Sequence, residues 1–217
     1  MSSEMNGVPE PTLRRLPHYY HFLKRLQENG RDVVSCTHIG NDLKLDPTQV
    51  RKDLAYTGIV GRPKVGYDVD LLIESIEEFL GWNNVKEAFL VGVGSLGTAL
   101  IGYAGFRGYG LNIVAAFDQD EKKVGKKIHG LEILPIKKLV NLAQRMKIHL
   151  GVLTVPAECA QQITDLMIDG GIQGIWNFAP VNLNVPTHVV VQNENLASGL
   201  SVLSKKLTQA RHQIIHP

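Results

Sequence analysis

Cysteine is nearly missing from this sequence. Cys36 and Cys159 are the only two, they lack CxxC spacing, and no histidine cluster accompanies them. Neither a disulfide framework nor a zinc site is supported, and two ordinary reduced thiols are the favoured reading. Long apolar runs are missing as well. No stretch of signal-peptide length opens the chain, and none approaches the roughly 20 uninterrupted apolar residues needed to cross a bilayer, so no membrane partner and a cytoplasmic location are expected. There is no internal repeat or low-complexity tract, which excludes a solenoid. Nor is there a large charge of one sign: a net charge of +2 does not by itself demand a nucleic-acid partner. What the chain does hold is 44% hydrophobic and 20% charged residues, the balance of a packed protein rather than a disordered one. Its 217 residues suffice for two modest domains with separate cores.

The charge is unevenly distributed. Over residues 1–66 the bases outnumber the acids, whereas Asp68, Asp70, Glu74, Glu77 and Glu78 reverse the sign immediately afterwards. Leu13, Leu16, Tyr20, Leu23 and Leu26 recur at helical spacing before the stop signal Asn29-Gly30, with Pro17 either beginning or bending that helix. A short helix is expected at 37–43. Asp46-Pro47 then supplies an N-cap and a preset first residue for a third helix reaching about Tyr56. The glycines and proline of 58–67 favour a tight hairpin, a credible wing. Residues 68–80 read as a linking helix with Leu71, Leu72, Ile76, Phe79 and Leu80 inward, ending at Gly81. From Val85 the pattern becomes apolar strands, clearest at 88–91, 113–117, 150–155 and 175–178, alternating with helices. That pattern implies a parallel sheet covered by helices. The last helix, from Asn195 to about Gln213, carries Leu196, Leu200, Leu203 and Leu207 on one stripe that must be buried somewhere.

Phe89-Leu90-Val91 runs into Gly92-x-Gly94-x-x-Gly97 and then into helix-compatible residues, the strand, turn and helix order of a Rossmann dinucleotide fingerprint. Gly92 permits the turn, Gly94 lets a pyrophosphate approach, and Gly97 permits close helix packing. Val93, Ser95 and Leu96 complete the loop. Asp118 follows the second strand about 20 residues later, where a carboxylate accepts from the adenosine ribose and disfavours a 2′-phosphate, so NAD and NADH are favoured over their phosphorylated forms. Lys122 and Lys123 are either phosphate ligands or solvated charges, and Lys123 is the candidate. Thr154, Val155 and Pro156, and later Asn177, Phe178 and Ala179, end predicted strands. They border the crevice or simply terminate the ladder.

In the first half, Thr48 and Gln49 stand at the base-reading end of the second helix of a helix-turn-helix. Arg51 and Lys52 follow on the same helix, and Arg62 and Lys64 lie on the wing, within reach of phosphates or the minor groove. An exposed basic helix would look similar. Three helices, a wing and an attached ligand domain favour double-stranded operator DNA.

Five stretches in order, 15–20 (RLPHYY), 49–56 (QVRKDLAY), 91–97 (VGVGSLG), 153–156 (LTVP) and 177–180 (NFAP), resemble the Rex family of redox-sensing repressors. The resemblance runs from Leu16 to Leu207. It implies an α/β protein with a winged-helix DNA-binding domain (1–82), a doubly wound Rossmann NAD(H)-binding domain (83–194) and a swapped C-terminal helix with its tail (195–217). It further implies a homodimer that represses fermentative or respiratory genes when NADH is scarce and leaves its operator when NADH binds. Tyr103 aligns with the family tyrosine near the nicotinamide. His21 and Asn195 stand where many relatives carry an interdomain Arg and Asp, so that ion pair is expected to be missing here and the NADH response weaker. Two other readings remain: an NAD-dependent oxidoreductase, for which no catalytic constellation is evident since His129, His149 and His188 are scattered, and a CoA-binding module.

Overall fold

The structure is a computed structural model that describes residues 7–215, with side chains described through residue 209. It divides into two compact units, Met1–Asn84 and Val85–Pro217.

In the first unit, α1 (Glu10–Glu28) starts after Pro9, with a proline in its first turn, so Pro17 lies inside the helix rather than at its beginning. A two-residue strand β1 (Val33–Val34) leads to α2 (Cys36–Leu43), whose N-cap Ser35 accepts from the His38 N–H at 3.1 Å. The N-cap of α3 (Pro47–Ala55) is Asp46, accepting from the Thr48 N–H at 2.6 Å, with Pro47 as the first helical residue. The wing is closed by Arg62 and Gly66, which exchange both backbone hydrogen bonds at 2.7 and 2.9 Å around Lys64 at φ 63°. It returns through β2 (Tyr67–Asp68), which pairs antiparallel with β1. Gly66 is required there: its φ is 108°, and a Cβ would run into the Val34 carbonyl. Asp68 caps α4 (Val69–Leu80), and Gly81 ends it in the left-handed region. Leu16, Tyr19, Leu23, Val50, Leu54, Leu72 and Ile76 form the core. The expected inward face of α4 needs one correction. Leu71 is 53% exposed while Val69 and Ile73 are buried, because the packed stripe is rotated toward α1.

In the second unit β3 (Lys86–Val91) is followed by α5 (Ser95–Gly102), a 3-10 segment at Ala104–Tyr109, and β4 (Leu111–Asp118). Next come β5 (Lys127–Ile128), β6 (Leu131–Pro135), α6 (Leu139–Met146), β7 (Leu150–Leu153), α7 (Ala157–Asp169), β8 (Gly174–Asn177), β9 (Val190–Asn193) and α8 (Leu196–Ile215). The sheet runs β5-β6-β4-β3-β7-β8-β9, and every pairing is parallel except β5 with β6. Without the β5 hairpin this is the doubly wound order in which the chain reverses direction beside the first strand, opening a crevice at the carboxyl ends of β3 and β7. Ala88 to Val91 are buried on both faces, which explains their unbroken apolar run. One face packs Phe89, Val91 and Phe117 against Leu139, Ile163 and Met167 of α6 and α7. On the other, Leu90, Ala116 and Ile133 lie under α5, with Leu100, Leu111 and Ile113 only partly buried. Strands β7 and β8 end earlier than the pattern suggested, leaving Thr154, Val155 and Phe178 beyond the ladder. β5, β6 and β9 were not anticipated. Residues 216–217 of the expected C-terminal tail lie outside the described residues.

Candidate functional site

Gly92 has φ 100°, and a Cβ there would meet the Thr154 carbonyl oxygen at 2.7 Å, so the turn after β3 requires glycine. A Cβ on Gly97 would strike the Gly92 carbonyl, which is how closely α5 approaches the turn. A Cβ on Gly94 meets no protein atom within 4 Å, so its open side faces space rather than packing. Thr154 pins the turn: its hydroxyl donates to the carbonyls of Gly92 at 2.7 Å and Val91 at 3.1 Å, while its N–H bonds Val91 at 2.9 Å. Over the turn lies a cavity of about 490 Å³. Gly92, Gly94, Ser95, Leu96, Asp118, Lys123, Thr154, Val155, Pro156 and Phe178 line it, as do Gln119, Asp120, Ile136, Cys159 and Ile163, which the sequence did not single out.

Asp118 is buried, and its carboxylate accepts from the Val93 N–H at 2.8 Å, the Asp120 N–H at 2.9 Å and the Lys123 ammonium at 2.9 Å. Burial raises its pKa, but the hydrogen bonds from Asp120, Lys123 and Val93 outweigh that effect and lower it, keeping the group ionised. Two carboxylate oxygens offer about four acceptor positions, so roughly one remains for a ligand hydroxyl.

Five candidates are placed off this cavity, Tyr103, described below, among them. Val93 is buried and contributes only its N–H to Asp118, and Gly97 is buried beneath the turn. Asn177 is fully buried as a brace. Its amide donates to the Val181 carbonyl at 2.9 Å and to Asn193 Oδ1 at 2.8 Å, and its oxygen accepts from the Ala179 N–H at 2.9 Å. Ala179 lines a different cavity, beside Asn195 and Leu196.

In the first unit Thr48, Arg51, Lys52, Arg62 and Lys64 are all exposed. Arg51, Arg62 and Lys64 converge on a cavity of about 410 Å³ between the start of α2 and the wing, a positive concavity suited to a phosphate backbone. Gln49 differs from expectation: it is half-buried, and its amide donates to Asp53 at 2.8 Å. Asp53 is fully buried and also accepts from Arg15 Nε at 2.6 Å, Arg15 Nη2 at 2.8 Å, the Tyr19 hydroxyl at 2.6 Å and the Thr12 hydroxyl at 2.9 Å. This hub ties α3 to α1 and so sets the direction in which Thr48 and Arg51 point.

Residues 7–55 match the family model described as "Putative DNA-binding protein N-terminus", and residues 83–181 match the one described as CoA binding domain. The redox-sensing transcriptional repressor Rex of Treponema denticola is 48% identical over 193 residues, 89% of this chain and 92% of that protein. The Rex of Bacteroides thetaiotaomicron is 48% identical over 200 residues, 92% of this chain and 91% of that protein. The chain belongs to the Rex family. Among solved structures, the Rex-family repressor RSP in complex with β-NAD⁺ and operator DNA is 30% identical, with a TM-score of 0.87 over 94% of each chain. RSP in complex with β-NADH is 29% identical, with a TM-score of 0.87 over 97% of this chain and 99% of that one.

The residues singled out by Rex resemblance alone are placed as follows. Tyr103 is 52% exposed, stacks edge-on to Phe106 with centroids 4.8 Å apart, and lines a separate cavity with His129 and Arg107 rather than the one over the glycine turn. The reason is local: α5 ends at Gly102, and the chain turns outward into the 3-10 segment. His21 is exposed on α1 of the first unit, its ring edge-on to Tyr20 at 5.8 Å. Asn195, in the second unit, caps α8 by accepting from the Ala197 N–H at 2.9 Å. The Arg15–Tyr19–Asp53 hub lies within two of the stretches that carry the Rex resemblance, yet its role was not legible. Arg15 and Asp53 are 38 positions apart, and no local pattern links them.

Proposed function

We propose that this Rex-family chain is a transcriptional repressor that reads the NADH/NAD⁺ ratio. The second unit holds NAD or NADH over the glycine turn. The first unit grips double-stranded operator DNA with Thr48, Arg51 and Lys52 of α3 and Arg62 and Lys64 of the wing. NADH releases the operator. The observation that carries this reading is the open face of Gly94 above the start of α5, in a cavity that the ionised Asp118 also lines. An anionic pyrophosphate fits beside backbone N–H groups at a helix start, and a ribose hydroxyl fits the remaining carboxylate position. The relatives are repressors rather than enzymes. RSP, with a matching fold, has been captured with NAD⁺ and DNA together and separately with NADH, in line with the stated direction of control. We further assign a cytoplasmic location. Among the described residues no helix is long and apolar enough to cross a membrane. The family-model match over residues 83–181 favours CoA as the second candidate ligand.

Binding of an operator fragment, measured with NAD⁺, NADH and CoA added separately, tests the reading. NADH is expected to weaken DNA binding and CoA to leave it unchanged. Gly94→Val, which fills the open face, is expected to lower NADH affinity in calorimetry by at least tenfold and to leave DNA binding insensitive to NADH. Undiminished NADH affinity in that variant would reject the turn as the binding site, and release by CoA alone would favour the second ligand.

A further inference from the structure

We propose that Lys123 sets how sharply the cavity distinguishes a 2′-hydroxyl from a 2′-phosphate on an adenosine ribose. The assignment rests on the dinucleotide reading above and adds a specificity residue to it. The usual argument from sequence treats an acidic residue at the end of the second strand as a lone negative charge that repels a 2′-phosphate. Here that residue is not alone. The Lys123 ammonium lies 2.9 Å from Asp118 Oδ2, and both side chains line the cavity.

The carboxylate cannot swing away from the ligand, because one oxygen accepts from the Val93 N–H and the other from the Asp120 N–H. The ammonium is the mobile partner: its side chain is 38% exposed, against 8% for Asp118. A 2′-hydroxyl donates into the carboxylate position left open and leaves the ion pair intact. A 2′-phosphate has no proton to donate at neutral pH; it meets Asp118 as a like charge and Lys123 as an opposite one at the same spot. Asp120 also faces the cavity, with its Oδ1 accepting from the Lys122 N–H at 2.9 Å, so a negative charge remains after the Asp118–Lys123 pair is cancelled. The pocket therefore disfavours a 2′-phosphate without forbidding it, and Lys123 sets the margin.

Calorimetric titration of the full chain with NADH and with NADPH tests this. The unsubstituted chain is expected to bind both, NADPH more weakly. In Lys123→Met the ratio of the NADPH to the NADH dissociation constant is expected to rise at least tenfold, whatever happens to the NADH constant itself. Lys123→Arg, which keeps the charge, is expected to hold the ratio within threefold of the original. A ratio unchanged in Lys123→Met would overturn the assignment, since Lys123 would then only steady Asp118. NADPH binding too weak to detect in the unsubstituted chain would overturn it as well. Failure of the unsubstituted chain to bind NADH is a separate outcome, which would overturn the dinucleotide reading and this assignment with it.

Discussion

Asp53 has no exposed surface and accepts five hydrogen bonds, from Thr12, Tyr19, Gln49 and both arms of Arg15. Burial by itself would raise its pKa. The hydrogen bonds from Arg15, Tyr19, Gln49 and Thr12 more than compensate and bring it down to about 2. A depressed carboxyl pKa contributes stability that is complete above the unfolded value, near 4, and is lost as pH falls through 4 toward 2. The shift corresponds to about 2 kcal/mol. Urea unfolding at pH 7 and at pH 2.5 is expected to show this loss in the unsubstituted chain and a clearly smaller acid-induced loss in Asp53→Asn. Equal losses in the two proteins would remove Asp53 from the acid response. Residue by residue, the glycine turn was legible because backbone rules act within six positions. The Asp53 hub was not, because a buried ion pair is a fact of packing: the same aspartate on an exposed helix would read identically in the sequence.

At the scale of the element, capping chemistry located the helices of the first unit. Asp46-Pro47 begins α3 and Gly81 ends α4, as local backbone rules require. The strands β1 and β2 escaped because two residues cannot display an alternating pattern, and their pairing depends on 33 meeting 68 across the fold. Helix α3 has two faces with different duties. Val50, Asp53 and Leu54 are buried, while Thr48, Arg51 and Lys52 are exposed. Gln49 is pulled to the buried side by an acceptor-only carboxylate, which leaves less of it available to a base edge than its sequence position suggested. Arg51→Ala is expected to weaken operator binding by about 1–3 kcal/mol if Arg51 reads a base, or to reduce its salt dependence if it meets a phosphate. NADH affinity, residing in the other unit, is expected to stay as it was. Fluorescence anisotropy at several salt concentrations separates the two cases. Unchanged binding throughout would take Arg51 out of the interface.

For the whole molecule the unresolved matter is α8. Leu196, Leu200, Leu203 and Leu207 are 53–69% exposed, although burying what is left of each would stabilise by roughly 1–2 kcal/mol. The homodimer that the Rex resemblance implies would cover them. Leu200→Lys combined with Leu203→Lys is expected to convert a dimer into a monomer in analytical ultracentrifugation and to weaken binding to a two-half-site operator at least tenfold. A dimer that survives both charges would place the interface elsewhere. The sequence by itself determined the change from helices to alternating strands and helices after Val85, the glycine turn, the acidic residue after the second strand and the exposed basic residues of α3. Each of these depends on local backbone geometry or on apolar periodicity, which can be read within a few neighbouring residues. Only the tertiary structure decided that Asp118 is ion-paired, that Asn177 is a buried brace, that Tyr103 faces another cavity and that Asp53 anchors α3. These four outcomes depend on which side chains, distant in the chain, come within hydrogen-bonding or packing distance once the sheet and the three-helix core have formed.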